Sequence, residues 1–175
     1  MFDVVIETER LRLRPYRQED LEELHAMFSD AEHMRHYPHP FSLEESQAWL
    51  DRNLDRSERL GFGLWFAEDR KTEAFVGTIG LTLQPVEDDE HVEVGWHVRP
   101  GRKGEGLAPE GAAAARDWAF ANLDVDHLIA LVRVGNSASA RVAEKIGMTV
   151  WRDVDHKGMA HRVYRIDRDG ATIGA

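Results

Sequence analysis

The sequence predicts an α/β domain built on a mixed sheet, and three observations carry that prediction. First, Val92 to Trp118 passes from alternation (Val92, Val94, Trp96 and Val98 on one side, Glu93 and His97 on the other) through Pro100, Gly101, Gly104 and Gly106 into an alanine-rich run at helical spacing. That is a strand, a glycine-rich turn and a helix amino terminus, an arrangement whose free N–H groups face an anion. Second, His127 to Val134 reads as a buried strand, and strand, helix and strand at this spacing suggest a right-handed parallel crossover. Third, 64–68 with 75–83, and 149–154 with 160–166, are alternating runs joined by polar turns, which suggests antiparallel hairpins.

The remaining elements follow in chain order. Glu7 to Tyr16 alternates Leu11 and Leu13 with Arg10, Arg12 and Arg14 and predicts a first strand, ended by Pro15. Gln18 to Phe28 carries Leu21, Leu24, Met27 and Phe28 at helical spacing, with acids in its first turns. The segment Ala31 to Phe41 holds His33, His36 and His39, and two prolines keep it from continuing as helix. Ser42 with Glu45 is a capping box opening a second helix to about Leu60. Val86 to Glu90 predicts an acidic turn before the alternating strand that leads into the glycine-rich stretch. Gly135-Asn136-Ser137 opens a last helix, with Gly147 as its carboxyl-terminal cap.

Composition sets the outer bounds. A chain of 175 residues suits one domain, 1–175, with a real core. With 42% hydrophobic and 31% charged residues it has ordinary globular composition. The net charge of −10 disfavours nucleic acid as a partner and suits a cationic or amine substrate. The chain has no cysteine, which excludes disulfides, thiolate nucleophiles and Cys-based zinc sites; any acyl transfer must avoid a Cys-bound intermediate. No run approaches the roughly 18 apolar residues of a membrane span, and no signal peptide is evident, so a soluble cytoplasmic protein without a membrane partner is expected.

A Gly-x-Gly turn before a helix often exists only to change direction. Here Arg99, Arg102 and Lys103 flank it, and Ala108 and Gly111 leave little side chain between backbone and ligand. It is not a Walker loop, since no Gly-Lys-Ser/Thr follows, and its glycine spacing does not fit the dinucleotide fingerprint. Glu105 and Glu110 oppose an anion if they point inward, so they are expected to face solvent or other donors.

Lys103-Gly104-Glu105-Gly106-Leu107-Ala108 resembles the acyl-CoA pyrophosphate loop of the GNAT N-acetyltransferases, and Asn136 to Met148 is similar to the same family's second signature. The opening Thr8 to Arg14, and Glu93-Val94-Gly95-Trp96 ahead of the loop, resemble the branch containing the Rim-type ribosomal-protein N-acetyltransferases. The resemblance implies a GNAT fold: a mixed, mostly antiparallel sheet of about six to seven strands, two of them parallel and splayed, with about four helices. It implies acetyl-CoA as cosubstrate and direct transfer of the acetyl group to a primary amine, either a protein N-terminus or a small molecule. The pyrophosphate would lie on the N–H groups from Gly104 through Glu105, Gly106 and Leu107 to Ala108, beside Lys103. Pantetheine would run along Trp96, His97 and Val98, with an N–H near Val98 holding the thioester oxygen. The alternative from another class is a non-catalytic acyl-CoA-binding or sensor module, and a homodimer stays open.

An attacking amine must be neutral, so a base is needed, and Glu93 is the first candidate, against the plain reading of a solvent-facing strand residue. His97, on the same strand face, is the second. The family's thiol-protonating Tyr corresponds to Ala143 here, a departure that leaves Ser139 as the nearest hydroxyl, unless it merely supports the helix start. Asn136 reads as an N-cap or as a partner of the strand beside pantetheine. His33, His36 and His39 lack a carboxylate to complete a ligand set, so no metal is expected. Tyr37, Phe41, His33, His36 and His39 are placed on the acceptor side, with Trp151, His156 and His161 of the closing hairpin on the opposite wall, unless each of these is only packing.

Overall fold

Within residues 4–170, which the computed structural model describes, eight strands form one sheet in the order β1-β2-β3-β4-β5-β6-β8-β7. In chain order the elements are β1 (Ile6–Glu7), β2 (Leu11–Arg14), α1 (Leu21–Phe28), α2 (Leu43–Leu60), β3 (Leu64–Asp69), β4 (Phe75–Val86), β5 (Asp89–Val98), α3 (Leu107–Asn122), β6 (His127–Arg133), α4 (Ser137–Lys145), β7 (Thr149–His156) and β8 (Met159–Asp167). This is the mixed α/β sheet, with one parallel pair, that the resemblance implies. Its antiparallel pairs are interrupted once, where β5 lies parallel to β6.

Two elements differ from the sequence reading. The single strand expected over Glu7–Tyr16 is a hairpin, because Thr8 folds the chain back: its N–H donates to Leu11 O at 2.9 Å and its hydroxyl accepts from Leu11 N–H at 2.9 Å. Ile6 then pairs with Leu13, and the strand count becomes eight rather than six to seven. The acidic turn expected over Val86–Glu90 shrinks to Glu87 and Asp88, because the β4–β5 ladder continues to Val86 opposite Asp89. Alternation persists through that polar stretch, and cross-strand pairing holds it despite its charge.

The sheet is covered on both faces. Along β3, Trp65 and Ala67 enter the core that packs against Ala112, Ala115 and Ala119 of α3 and Ala143 of α4. Phe66, between them, turns to the other face and joins Leu24, Met27 and Phe28 of α1 with Leu50 of α2. The period of two thus sorts one strand between two layers of helix. The α1 layer is anchored by a buried ion pair: Arg14 donates to both oxygens of Asp20 at 2.8 Å, and Arg17 N–H adds a third bond at 2.8 Å. The capping box at Ser42 and Glu45 forms as the sequence predicts, with Ser42 N–H donating to Glu45 at 2.8 Å and Glu45 N–H to Ser42 Oγ at 3.1 Å. No helix among the described residues is long and apolar enough to cross a membrane.

Strands β3 and β4 approach closely at Gly80. A Cβ there would lie 2.4 Å from the Gly63 carbonyl oxygen and 2.9 Å from Leu64 Cα, backbone atoms that cannot swing aside. Gly80→Ala is therefore expected to destabilise the fold by about 2–3 kcal/mol, a fall of roughly 5–10 °C in thermal midpoint. An unchanged midpoint in a melting scan would contradict this packing.

Candidate active site

Strand β5 directs Val92, Val94 and Val98 into the α3-side core and Glu93 and His97 to the opposite face. Strands β5 and β6 are paired at one register point, Glu93 opposite Ile129. Just past it the Glu93 carboxylate accepts the Leu131 N–H at 3.2 Å. Burial pushes the Glu93 pKa up to about 7, against the lowering pull of the Leu131 N–H, Gln84, and the charges of Lys157 and Arg56. The group is therefore poised between acid and base near neutral pH.

His97 sits among rings: Phe28 at 5.7 Å, His33 at 5.9 Å and Tyr37 at 5.6 Å between centroids. Burial, and then the charges of His33 and Lys103, lower its pKa to about 3. A ring so reluctant to take a proton is a poor general base, which separates it from Glu93. The Tyr37 hydroxyl lies 3.2 Å from His97 Nε2. Burial of that end of the side chain, then the charge of Glu93, push the phenol pKa up. The neighbouring His36 carbonyl accepts from Arg133 of β6 at 2.6 Å. The α1–α2 loop thus reaches from β5 to β6, across the place where these strands cease to pair.

The glycine-rich turn has the form expected of an anion cradle. Gly104 and Gly106 hold φ of +84° and +78°, the left-handed region, and Gly106 caps α3. Among the described residues, the N–H groups from Gly104 to Ala108 have no hydrogen-bond partner. The two acids face other donors. Glu105 accepts from Arg102 at 3.0 Å, and Glu110 accepts from Thr8 at 2.6 Å and from Arg10 N–H at 2.9 Å. Arg10 also donates to the Glu105 carbonyl at 2.7 Å, so the first hairpin buttresses the turn. The flanking cations are engaged to different degrees: Arg99 is paired with Glu23 at 3.2 Å, and Arg102, which lines the cavity described below, with Asp69 at 2.9 Å. Of the three, only Lys103 has no ion pair among the described residues.

A cavity of about 350 Å³ runs along this turn. It gathers Trp96, His97 and Val98 of β5 with Lys103, Gly104, Gly106, Leu107 and Ala108 of the turn, Asn136 and Ser139 of α4, and His36 and Tyr37 of the α1–α2 loop. Glu105, Glu93 and His156 do not line it. Glu105 is turned to Arg102, Glu93 lies four residues before His97 on the same face of β5, where the strand pairs with β6, and the His156 ring stacks edge-on against His161 at 5.3 Å. Asn136 caps α4 by accepting the Ser139 N–H at 3.2 Å, and Ala143 is wholly buried.

Arg141 and Lys145 were not foreseen, whereas His33 was expected on the acceptor side. Arg141 and Lys145 stand one helical turn apart on α4, a spacing that places cations on one face and was readable in the sequence. His33 is buried, yet neither ring nitrogen has a partner among the described residues, and burial lowers its pKa to about 4. Orphaned nitrogens in a cavity wall, free backbone N–H groups and cations together fit an elongated, phosphorylated molecule with amide groups along its length.

The acetyltransferase (GNAT) domain profile matches residues 10–149. The uncharacterized protein YkkB of Bacillus subtilis (strain 168) is 34% identical over 142 residues, 81% of this chain and 83% of that protein. Spermidine N(1)-acetyltransferase of Escherichia coli (strain K12) is 26% identical over 158 residues, 89% of this chain and 81% of that one. The acetyltransferase from Agrobacterium tumefaciens str. C58 matches with a TM-score of 0.81 at 30% identity, covering 92% of each chain. The fold is also that of RimL, the ribosomal L7/L12 alpha-N-protein acetyltransferase (TM-score 0.78, 16% identity, covering 96% of this chain and 99% of that one).

If the turn holds phosphate, a β-branched residue at φ +78° must remodel it. Gly106→Val is expected to weaken coenzyme A binding at least about tenfold, equivalent to about 1.4 kcal/mol, in calorimetry. Gly101→Ala, whose Cβ meets nothing within 4 Å, serves as the control. Unchanged affinity in Gly106→Val would remove the turn from the binding site.

Proposed function

The chain belongs to the GNAT acetyltransferase family, and we propose that it transfers an acetyl group from acetyl-CoA directly to a primary amine, with Glu93 as the base. The observation that carries this reading is one carboxyl group, pushed to about pKa 7 by burial and hydrogen-bonded to the Leu131 N–H at the parting of β5 and β6. A base works best when its pKa lies near the working pH.

In this reading the pyrophosphate lies on the free N–H groups from Gly104 to Ala108, with Lys103, Arg141 and Lys145 as countercharge. Pantetheine runs beside Trp96 to Val98. The acceptor arrives as an ammonium ion on the other strand face and gives one proton to Glu93. The freed nitrogen attacks the thioester carbon, the C–S bond breaks, and the sulfur leaves with the electron pair. The nitrogen's second proton goes to that sulfur, directly or through the Ser139 hydroxyl in the cavity wall. Glu93 then returns its proton to solvent. A thiolate of pKa about 8.5 leaves without full protonation, so a buried Ala143 in place of a Tyr does not block the reaction. Spermidine N(1)-acetyltransferase, by its name, acetylates an amine, which supports an amine acceptor for this chain.

Thiol release from acetyl-CoA, measured over an amine panel, tests the assignment. Glu93→Gln is expected to lower kcat by about 10²–10⁴-fold; full activity in that variant would remove Glu93 as the base. Tight coenzyme A binding with no turnover on any amine would instead favour a binding or sensor module.

The pH profile supplies a second test. Raising a carboxyl pKa from 4.5 to about 7 leaves the basic form in the majority only above neutrality. The wild-type rate should therefore fall as pH drops through about 7, and Glu93→Gln should lose that limb. A wild-type limb near 4.5 would contradict the tuning.

A further inference from the structure

Three cations stand on the Glu93 side of the sheet with no carboxylate of their own. Arg56 of α2 donates to the Thr82 hydroxyl, and Thr82 is the cross-strand partner of Glu93 on β4. Cross-strand side chains lie about 4.5–5.5 Å apart at Cβ, so this guanidinium is a neighbour of the carboxylate. Arg133 follows Leu131 by two residues on β6, hence on the same strand face, and its recorded bond is to the His36 carbonyl. Lys157 forms the tip of the β7–β8 hairpin, between His156 and Met159, and its charge is felt at Glu93. None of the three has an ion pair among the described residues.

They share this with Lys103, Arg141 and Lys145, whereas many other cations of this chain are paired. Its net charge is −10, and Arg10, Arg12, Arg14, Arg99, Arg102, Arg152 and Arg162 each bind an acid. Beside Lys157, Asp155 is engaged by the N–H of Gly158 within its own turn, at 2.9 Å. Three cations minus the carboxylates of Glu93 and Asp155 leave +1 on the side where the acceptor would enter. A polyamine would bring two or more further positive charges into that field. An amine that also bears a carboxylate would meet Glu93 with its nitrogen and the cations with its acid.

We propose that the acceptor is a small amine carrying a carboxylate, an amino-acid-like molecule, held by Arg56, Arg133 and Lys157 while its nitrogen faces Glu93. This rests on Glu93 as the group that meets the acceptor nitrogen. It runs against the bulk charge of the chain, because the local field and not the total decides what a groove accepts. Guanidinium groups suit the task through paired donors that match a carboxylate.

Two matched pairs of probes differ by one carboxylate: ornithine against putrescine, and phenylalanine against phenethylamine, with spermidine alongside. Turnover with acetyl-CoA should favour the carboxylate member of each pair at least about tenfold in kcat/KM, one bidentate contact's worth. Arg56→Gln, and separately the exposed Lys157→Gln, should bring that ratio at least threefold closer to one. Calorimetry on the coenzyme A-saturated protein reads the same preference without chemistry. Preferred binding of the carboxylate member with no thiol released would sink the transferase reading and keep the selectivity. Equal affinity within both pairs, no binding by any member, or preference for putrescine and spermidine would overturn the proposal.

Discussion

Two parallel strands that stop pairing leave backbone groups facing each other without a ladder, and each buried group left alone costs about 1–3 kcal/mol. Strands β5 and β6 meet at Glu93 and Ile129, and the next exposed donor of β6 is the N–H of Leu131. The carboxylate of Glu93 takes the place that a strand carbonyl would have filled. This one bond lets the strands part without leaving that donor unsatisfied. It also holds an acid in a half-buried position, where desolvation raises its pKa toward neutrality. In our reading, the feature that opens the sheet is the same one that prepares the base.

The surrounding elements divide the remaining work. The first hairpin takes no direct part in the cavity, yet Arg10 ties up Glu110 and grips the Glu105 carbonyl, which fixes the turn and keeps a carboxylate out of it. The α1–α2 loop ties to β5 through Tyr37 and His97, and to β6 through His36 and Arg133. Beneath it lie histidines that burial keeps neutral, so the cavity's positive charge comes from lysine and arginine alone. A field set by such groups does not switch off over the pH range where a histidine would titrate.

Much of the fold was legible because its signals are local. The Ser42–Glu45 box, the Asn136 cap and the strand-to-helix turn depend on residues three or four apart, and each formed as the sequence implied. The fold back at Thr8 was hidden, since alternation in Glu7–Tyr16 satisfies one strand or two short ones equally well, and only the Leu11 contacts decide. Arg99 and Arg102 flank the turn in the chain, and each is held by an acid. Their partners, Glu23 and Asp69, come from distant segments, and no spacing rule reveals them. The same holds for the cations on the Glu93 side of the sheet, which arrive from α2, β6 and the last turn. Bulk charge pointed to a cationic or amine substrate, and the acceptor we propose is an amine that also carries a carboxylate.

The central claim is that a single carboxyl group at the parting of β5 and β6 titrates near neutrality. Carbon-13 NMR of protein labelled at the glutamate carboxyl carbons measures this without turnover, with Glu93→Gln supplying the assignment. The account predicts one resonance, absent in the variant, with a midpoint near pH 7. A Glu93 midpoint at the ordinary glutamate value of about 4.3 would contradict it.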